Sequence, residues 1–324
     1  MTRLRAAIDI GTHTARLLIA SDPGPAGPLK ALARRREYIR LAEPIDNNDE
    51  NIIGPGAINR TVRALEGFLT LIRTYDVQST HAIATGVIRE ATNRDEFLGR
   101  IYEKSGIPLR PVSGDEEARL TAKGVLYSLG IQSGPFMIFD LGGGSTEFFF
   151  GGNETQAVKS LPLGAAVMTN RHLESDPPVE SEIASLTGYI SHILHDGIPD
   201  YDHSYKNYKT DDRISVIGTG GTVTTLAMMI HGISEKEISA ELINGLLLNG
   251  RQIEVLFDKM KGMSVKERLK LPGLDEGRAG IILAGAVIVI NILNFFNALQ
   301  FTVSLSDLLE GILIGYFDGG RNGK

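Results

Sequence analysis

Three short stretches of the chain carry residue types able to hold phosphate. They are Asp9-Ile10-Gly11-Thr12-His13-Thr14, Asp140-Leu141-Gly142-Gly143-Gly144-Ser145-Thr146-Glu147 and Gly218-Thr219-Gly220-Gly221-Thr222. Successive backbone N–H groups in a glycine turn form a concavity that binds anions, and a helix starting there adds its positive end. Asp140, just before the second loop, can hold a divalent cation directly or through water, because hard cations take oxygen ligands. Glu147, just after it, offers a second carboxylate. For each loop a plainer alternative stands: glycines also serve tight turns with no ligand at all.

Two further groups could act on a bound phosphate. In Ser113-Gly114-Asp115-Glu116-Glu117-Ala118, Ser113 and Glu116 have the spacing of a capping box, which claims Glu116 for the helix start. Glu117 is turned by about 100° from it and is left to another task, as a general base or as a solvated surface carboxylate. Arg89 follows a short strand in Ala84-Thr85-Gly86-Val87-Ile88-Arg89. An arginine fork binds phosphate bidentately. An ion pair with Glu90 or Asp95 is the structural alternative. Arg34, Arg35, Arg36 and Arg40 form a basic run on an expected strand, with Arg34, Arg36 and Arg40 on one face and Arg35 on the other. His172, His192, His195 and His203 lack the tight spacing of metal ligands.

The elements that must position these residues follow from periodicity. Arg5–Ile10 and Arg16–Ser21 read as a strand pair turning at Gly11–Thr14. Asp22–Pro28 reads as a Pro/Gly turn and Ala31–Leu41 as a strand. Ile58, Val62, Leu65, Leu69 and Ile72 mark a helix over Ala57–Tyr75. His81–Thr85 and Leu109–Ser113 are expected strands; Arg94–Ser105 and Glu116–Leu129 are expected helices. The second half repeats the opening pattern, with strands Phe136–Leu141 and Glu147–Gly151 around the second glycine loop. Asp196–Asp212 is expected as an irregular polar loop, Arg213–Gly218 as a strand entering the third glycine loop, Phe301–Ser304 as a strand and Asp307–Phe317 as a last helix. Strands alternating with helices predict an α/β fold, in which ligands sit at the carboxyl ends of strands. All three glycine loops fall there.

Composition removes several function classes. The chain has 324 residues, enough for about two domains. It has 0 Cys, which excludes thiolate catalysis, disulfides and Cys-ligated metals. Its formal net charge of -6 counts against a general nucleic-acid binder. The apolar run Ile281–Leu299 carries Asn291, Asn294 and Asn297 as a polar stripe, so a core helix is expected there rather than a membrane span. With no export signal read at the N-terminus, the expected location is cytoplasmic.

Taken together, the three glycine loops, Arg89-Glu90-Ala91-Thr92-Asn93, the Ser113–Arg119 motif and the late Leu271-Pro272-Gly273-Leu274 with Arg278 resemble the exopolyphosphatase/guanosine pentaphosphate phosphatase family, in family order over nearly the whole chain. The resemblance implies two ribonuclease-H-like domains of the actin/hexokinase/Hsp70 type, residues 1–128 and 129–305, flanking an active-site cleft, with a final helix over 306–318 packing back on the first. It implies phosphate contacts from Gly11, Thr12, His13 and Thr14, from Gly142, Gly143, Gly144, Ser145 and Thr146, and from Gly220, Gly221 and Thr222. Glu117 becomes the base that activates water and Arg89 a phosphate contact. Asp9, Asp140 and Glu147 become the residues that organise Mg²⁺. Two departures stand out: His13 where the family commonly has Asn, and Leu309 where it commonly has Arg.

The leading expectation is therefore an Mg²⁺-dependent hydrolase of the terminal phosphate of inorganic polyphosphate. The alternative is the same chemistry on guanosine pentaphosphate. A sugar or acetate kinase and a non-catalytic nucleotide- or alarmone-binding regulator are the competing classes. Neither a nucleic-acid nor a membrane partner is expected, and a homodimer is left open.

Overall fold

The computed structural model describes residues 3–21, 29–42, 52–152, 157–198 and 214–319. The chain divides into two compact units, Met1–Ser128 with Asp307–Lys324, and Leu129–Ser306.

Unit 1 is built on β1 (Leu4–Ile10), β2 (Thr14–Ser21), β3 (Lys30–Tyr38), β4 (Ser79–Ala84) and the two-residue β5 (Arg110–Pro111), in the order β3-β2-β1-β4-β5. β1 pairs antiparallel with β2 and parallel with β4. Both faces of β1 are covered, so its apolar run shows no alternation with polar residues. Ala6, Ile8 and Ile10 face α1 (Pro55–Thr74) and α2 (Arg94–Ser105), through Leu65, Phe68, Phe97 and Ile101. Ala7 on the other face packs with Leu308, Leu309, Ile312 and Leu313 of α11 (Leu308–Gly319). Asp9 shares that second face by alternation. Helix α3 (Gly114–Leu129) completes the unit.

Unit 2 repeats the plan. Its sheet, β10-β11-β9-β6-β7-β8, contains β6 (Phe136–Leu141), β7 (Thr146–Gly151), β8 (Ala157–Leu161), β9 (Ser215–Thr219), β10 (Leu247–Asn249) and β11 (Gln300–Val303). As in unit 1, the first strand has an antiparallel hairpin on one side and a parallel strand on the other. The helices are α4 (Ala165–His172), α5 (Glu180–Gly197), α6 (Gly221–His231), the one-turn α7 (Ala240–Ile243), α8 (Gly250–Lys261), the one-turn α9 (Val265–Arg268) and α10 (Ile282–Phe295). α10 is buried along most of its length in the core of this unit, and no helix among the described residues is long and apolar enough to cross a membrane.

Several expected boundaries move. β3 stops at Tyr38 instead of reaching Leu41, because the Ile39 and Arg40 N–H groups turn to the His13 carbonyl and Arg40 adopts φ 48°. Arg40 therefore leaves the alternation expected of the basic run. The strand expected over Leu109–Ser113 shrinks to two residues. α3 begins at Gly114 rather than Glu116, since Ser113 is its cap: the Glu116 N–H donates to Ser113 Oγ at 3.1 Å. β8, α4 and α5 lie in a stretch the sequence pattern left unassigned. α5 runs into the segment expected as a loop from Asp196. Residues 199–212 of that loop and the turn over Asp22–Pro28 lie outside the described residues.

Candidate active site

The first two glycine loops are held in a common way. In unit 1 the Gly11 N–H donates to Thr14 O at 3.0 Å, and in unit 2 the Gly142 N–H donates to Ser145 O at 3.0 Å. The carbonyls of each loop are then taken by the segment behind it. Thr12 O accepts from Leu41 N at 2.7 Å, and His13 O from Ile39 N at 3.0 Å. Gly142 O accepts from Ala165 N at 3.0 Å, and Gly143 O from Ala166 N at 2.9 Å, at the start of α4. Among the described residues no acceptor takes the Gly143 or Gly144 N–H. A loop with its carbonyls capped and its amides unclaimed presents donors to an anion.

The third loop heads α6. Gly220 sits at φ 92°, where a Cβ would meet Asp140 Oδ1 at 2.5 Å and Leu141 O at 2.6 Å. Only glycine lets this helix start approach the Asp140 carboxylate so closely. Gly221 makes room for the Arg278 guanidinium, whose Nη2 lies 1.8 Å from where a Cβ would stand. Thr222 is buried with its methyl against Gly285 of α10, a packing role rather than an opening toward a ligand.

Equivalent positions in the two hairpins carry opposite charge. Asp9 faces Arg16 across β1 and β2, and Asp140 faces Glu147 across β6 and β7. Directly opposed side chains lie on one face of the sheet within a few ångströms. In unit 1 the pair neutralises itself. Arg16 Nε and Nη2 donate to Asp9 Oδ2 at 2.9 and 2.8 Å, Thr85 Oγ1 donates to Oδ1 at 3.1 Å, and Arg16 Nη1 also pairs with Asp307. Burial raises the Asp9 pKa above its usual value, and Arg16 offsets only part of that. In unit 2 two buried carboxylates oppose each other. Glu147 Oε1 accepts from Ser145 Oγ at 2.6 Å and from Ser160 Oγ at 2.8 Å, which fixes its orientation without cancelling its charge.

The donor chemistry of unit 2 fits a divalent cation. Mg²⁺ keeps several waters and is held by one or two carboxylates, and Asp140 with Glu147 offers that number. No group of three or more metal-ligating side chains converges among the described residues. Asp9 differs from its unit 2 counterpart, because its carboxylate is engaged by Arg16 and Thr85.

The remaining pair belongs to unit 1. Glu117 is buried in the first turn of α3, where its N–H donates to Ser113 O at 2.9 Å. Its Oε2 is in an ion pair with Nη1 of Arg89, which ends the 3-10 turn Gly86–Arg89. The surface partners available to Arg89 in sequence are not used this way; Asp95 pairs with Arg94. The sequence reading missed Arg16 altogether and noted Arg278 only as part of a motif. The signal for Arg16 was its place opposite Asp9 in a two-strand turn.

A basic run on β3 is also tied down in part: Arg34 pairs with Glu310 of α11, and Arg36 lies over the Tyr38 ring, which meets the His13 ring edge-on.

The model of the Ppx/GppA phosphatase family matches residues 19–318. Exopolyphosphatase 2 of Mycobacterium tuberculosis is 30% identical, over 97% of this chain and 98% of that one. The crystal structure of the Aquifex aeolicus family member matches all of both chains, with a TM-score of 0.77 and 28% identity. An exopolyphosphatase structure from Cytophaga hutchinsonii, 24% identical with a TM-score of 0.84, matches the fold over 98% of each chain. The two mixed sheets with their shared strand plan are thus the actin-like architecture of these proteins. The chain belongs to the Ppx/GppA phosphatase family and is a phosphoanhydride hydrolase.

Proposed function

We propose that the protein is an Mg²⁺-dependent exopolyphosphatase, releasing the terminal phosphate of inorganic polyphosphate by in-line attack of water. The observation that carries this reading is Glu117: a buried carboxylate with its direction fixed by an arginine, at the head of a helix. Such a group orients a water and takes its proton during in-line attack. Arg89 holds Glu117 in place and adds positive charge where the transferring phosphoryl group needs it. The Gly143 and Gly144 amides and the start of α6 receive phosphate oxygens. Asp140 and Glu147 would hold Mg²⁺, which when bound neutralises charge on the phosphate oxygens and on the two carboxylates. Asp9 acts through Arg16, keeping the guanidinium in position beside the first glycine loop.

Phosphate release from polyphosphate and from guanosine pentaphosphate, side by side and with or without Mg²⁺, tests this reading. Faster Mg²⁺-dependent release from polyphosphate is expected. A preference for guanosine pentaphosphate would move the substrate assignment, and release from neither would reject the hydrolase reading.

A further inference from the structure

Thr12 was expected to contact substrate phosphate, as part of the first glycine loop. Its surroundings point elsewhere. The side chain is buried at 3% exposure, and its Oγ1 accepts the Val87 N–H at 3.0 Å. Val87 is the second residue of the 3-10 turn Gly86–Arg89, and the first N–H groups of a helical turn have no acceptor within it. The residue in position to cap that turn is Thr85, whose side chain makes no capping bond. Its hydroxyl is committed to Asp9 Oδ1 at 3.1 Å. Thr12 supplies the missing cap from another part of the chain.

The fit is interlocked. Gly86 adopts φ 62°, and a Cβ there would meet Thr12 Oγ1 at 2.1 Å and Thr12 N at 3.2 Å. Gly86 thus lacks a side chain where the Thr12 hydroxyl sits. On its far side Thr12 is held through its carbonyl by Leu41 N at 2.7 Å. A turn of four residues has little internal hydrogen bonding to fix its direction, and this one ends at Arg89, the residue that clamps Glu117.

We propose that Thr12 is a positioning residue that caps the Gly86–Arg89 turn and so aims Arg89 at Glu117, in place of a direct contact to substrate. The proposal rests on Glu117 being the water-activating base. A hydroxyl that acts through Arg89 and Glu117 changes turnover and leaves substrate affinity alone. A hydroxyl that binds phosphate changes KM.

The test is a double-mutant cycle with polyphosphate as substrate, using Thr12→Val, Thr12→Ser, Glu117→Gln and the Thr12→Val/Glu117→Gln pair. Thr12→Val keeps the volume and loses the hydroxyl; kcat is expected to fall roughly tenfold with KM within about twofold of the parent. Thr12→Ser is expected to recover most of the lost turnover. In the Glu117→Gln background, Thr12→Val is expected to cost clearly less than it does in the parent, because much of its effect runs through Glu117. If Glu117→Gln is strongly impaired but Thr12→Val raises KM, or adds its full loss on top, the positioning role is overturned and the base assignment survives. If Glu117→Gln turns over like the parent, the base assignment falls and the positioning role falls with it.

Discussion

Two glycines four residues apart on α11 should respond to alanine in opposite directions. Gly311 packs directly on the backbone of α3: a Cβ there would lie 1.8 Å from Leu120 O and 2.6 Å from Leu120 C. The contact is reciprocal, since a Cβ at Gly124 would lie 2.0 Å from Asp307 O. A relaxed carbon–oxygen contact needs well over 3 Å, so the helices must part by more than about 1 Å to admit a methyl group at Gly311. A backbone carbonyl cannot rotate out of the way, so the cost sits toward the upper part of the usual overpacking range, about 3 kcal/mol. Replacing a helical glycine by alanine returns about 1 kcal/mol, leaving Gly311→Ala about 2 kcal/mol less stable. Gly315 has nothing within 4 Å of its would-be Cβ, so Gly315→Ala keeps only the gain, about 0.5–1 kcal/mol. Urea unfolding followed by circular dichroism should shift the transition midpoint down for the first variant and up for the second. Turnover should fall in Gly311→Ala as well, because α3 carries Glu117 and the residue before α11, Asp307, pairs with Arg16. Equal shifts of the two variants in one direction would refute the close crossing.

Other expectations come from the two aspartates. Burial raises the native pKa of Asp9 above the ordinary aspartate value, and Arg16 offsets part of the rise. The native state therefore keeps this proton to higher pH than the unfolded chain does. Its contribution to stability is fullest below the unfolded value and declines as pH rises through the native one. Asp9→Asn removes that decline, so the parent should lose stability relative to the variant as pH rises from below the ordinary aspartate range through the native titration. A constant difference between their urea midpoints over that range would contradict the buried-carboxylate account. At the third loop, Gly220→Ala combines φ 92° with a Cβ contact on Asp140, and turnover should fall at least roughly tenfold while circular dichroism stays that of the parent. Parent-like turnover would show that the approach of α6 to Asp140 does not matter.

How much of this was legible in the residues depends on the distance over which each feature is decided. The two glycine hairpins, the helix Arg94–Ser105 and the Ser113 cap are local, set by turn chemistry, period and capping, and they could be read from a few neighbouring positions. The duplicated plan was visible only as two similar strand-turn-strand motifs; the matching strand order depends on pairings such as β1 with β4, about 70 residues apart. Arg89 had two acidic residues nearby in sequence, yet its partner Glu117 comes from a different helix. Likewise, the Asp9 and Asp140 motifs look alike until their cross-strand partners are known. Arg16 in one hairpin and Glu147 in the other separate a self-neutralised pair from an acidic one. β8 was missed because its five residues, AVKSL, are short and only partly apolar, and α5 because it begins on an exposed polar turn after Pro177 and Pro178.

The most direct measurement is the rate of phosphate release by the Glu117→Gln variant on polyphosphate, with substrate binding measured in parallel. The amide keeps the shape of the side chain and its place at the head of α3, but it cannot take a proton from water. Turnover is predicted to drop by roughly 10²–10⁴ with binding nearly unchanged. Release at close to the parent rate would show that another group activates the water.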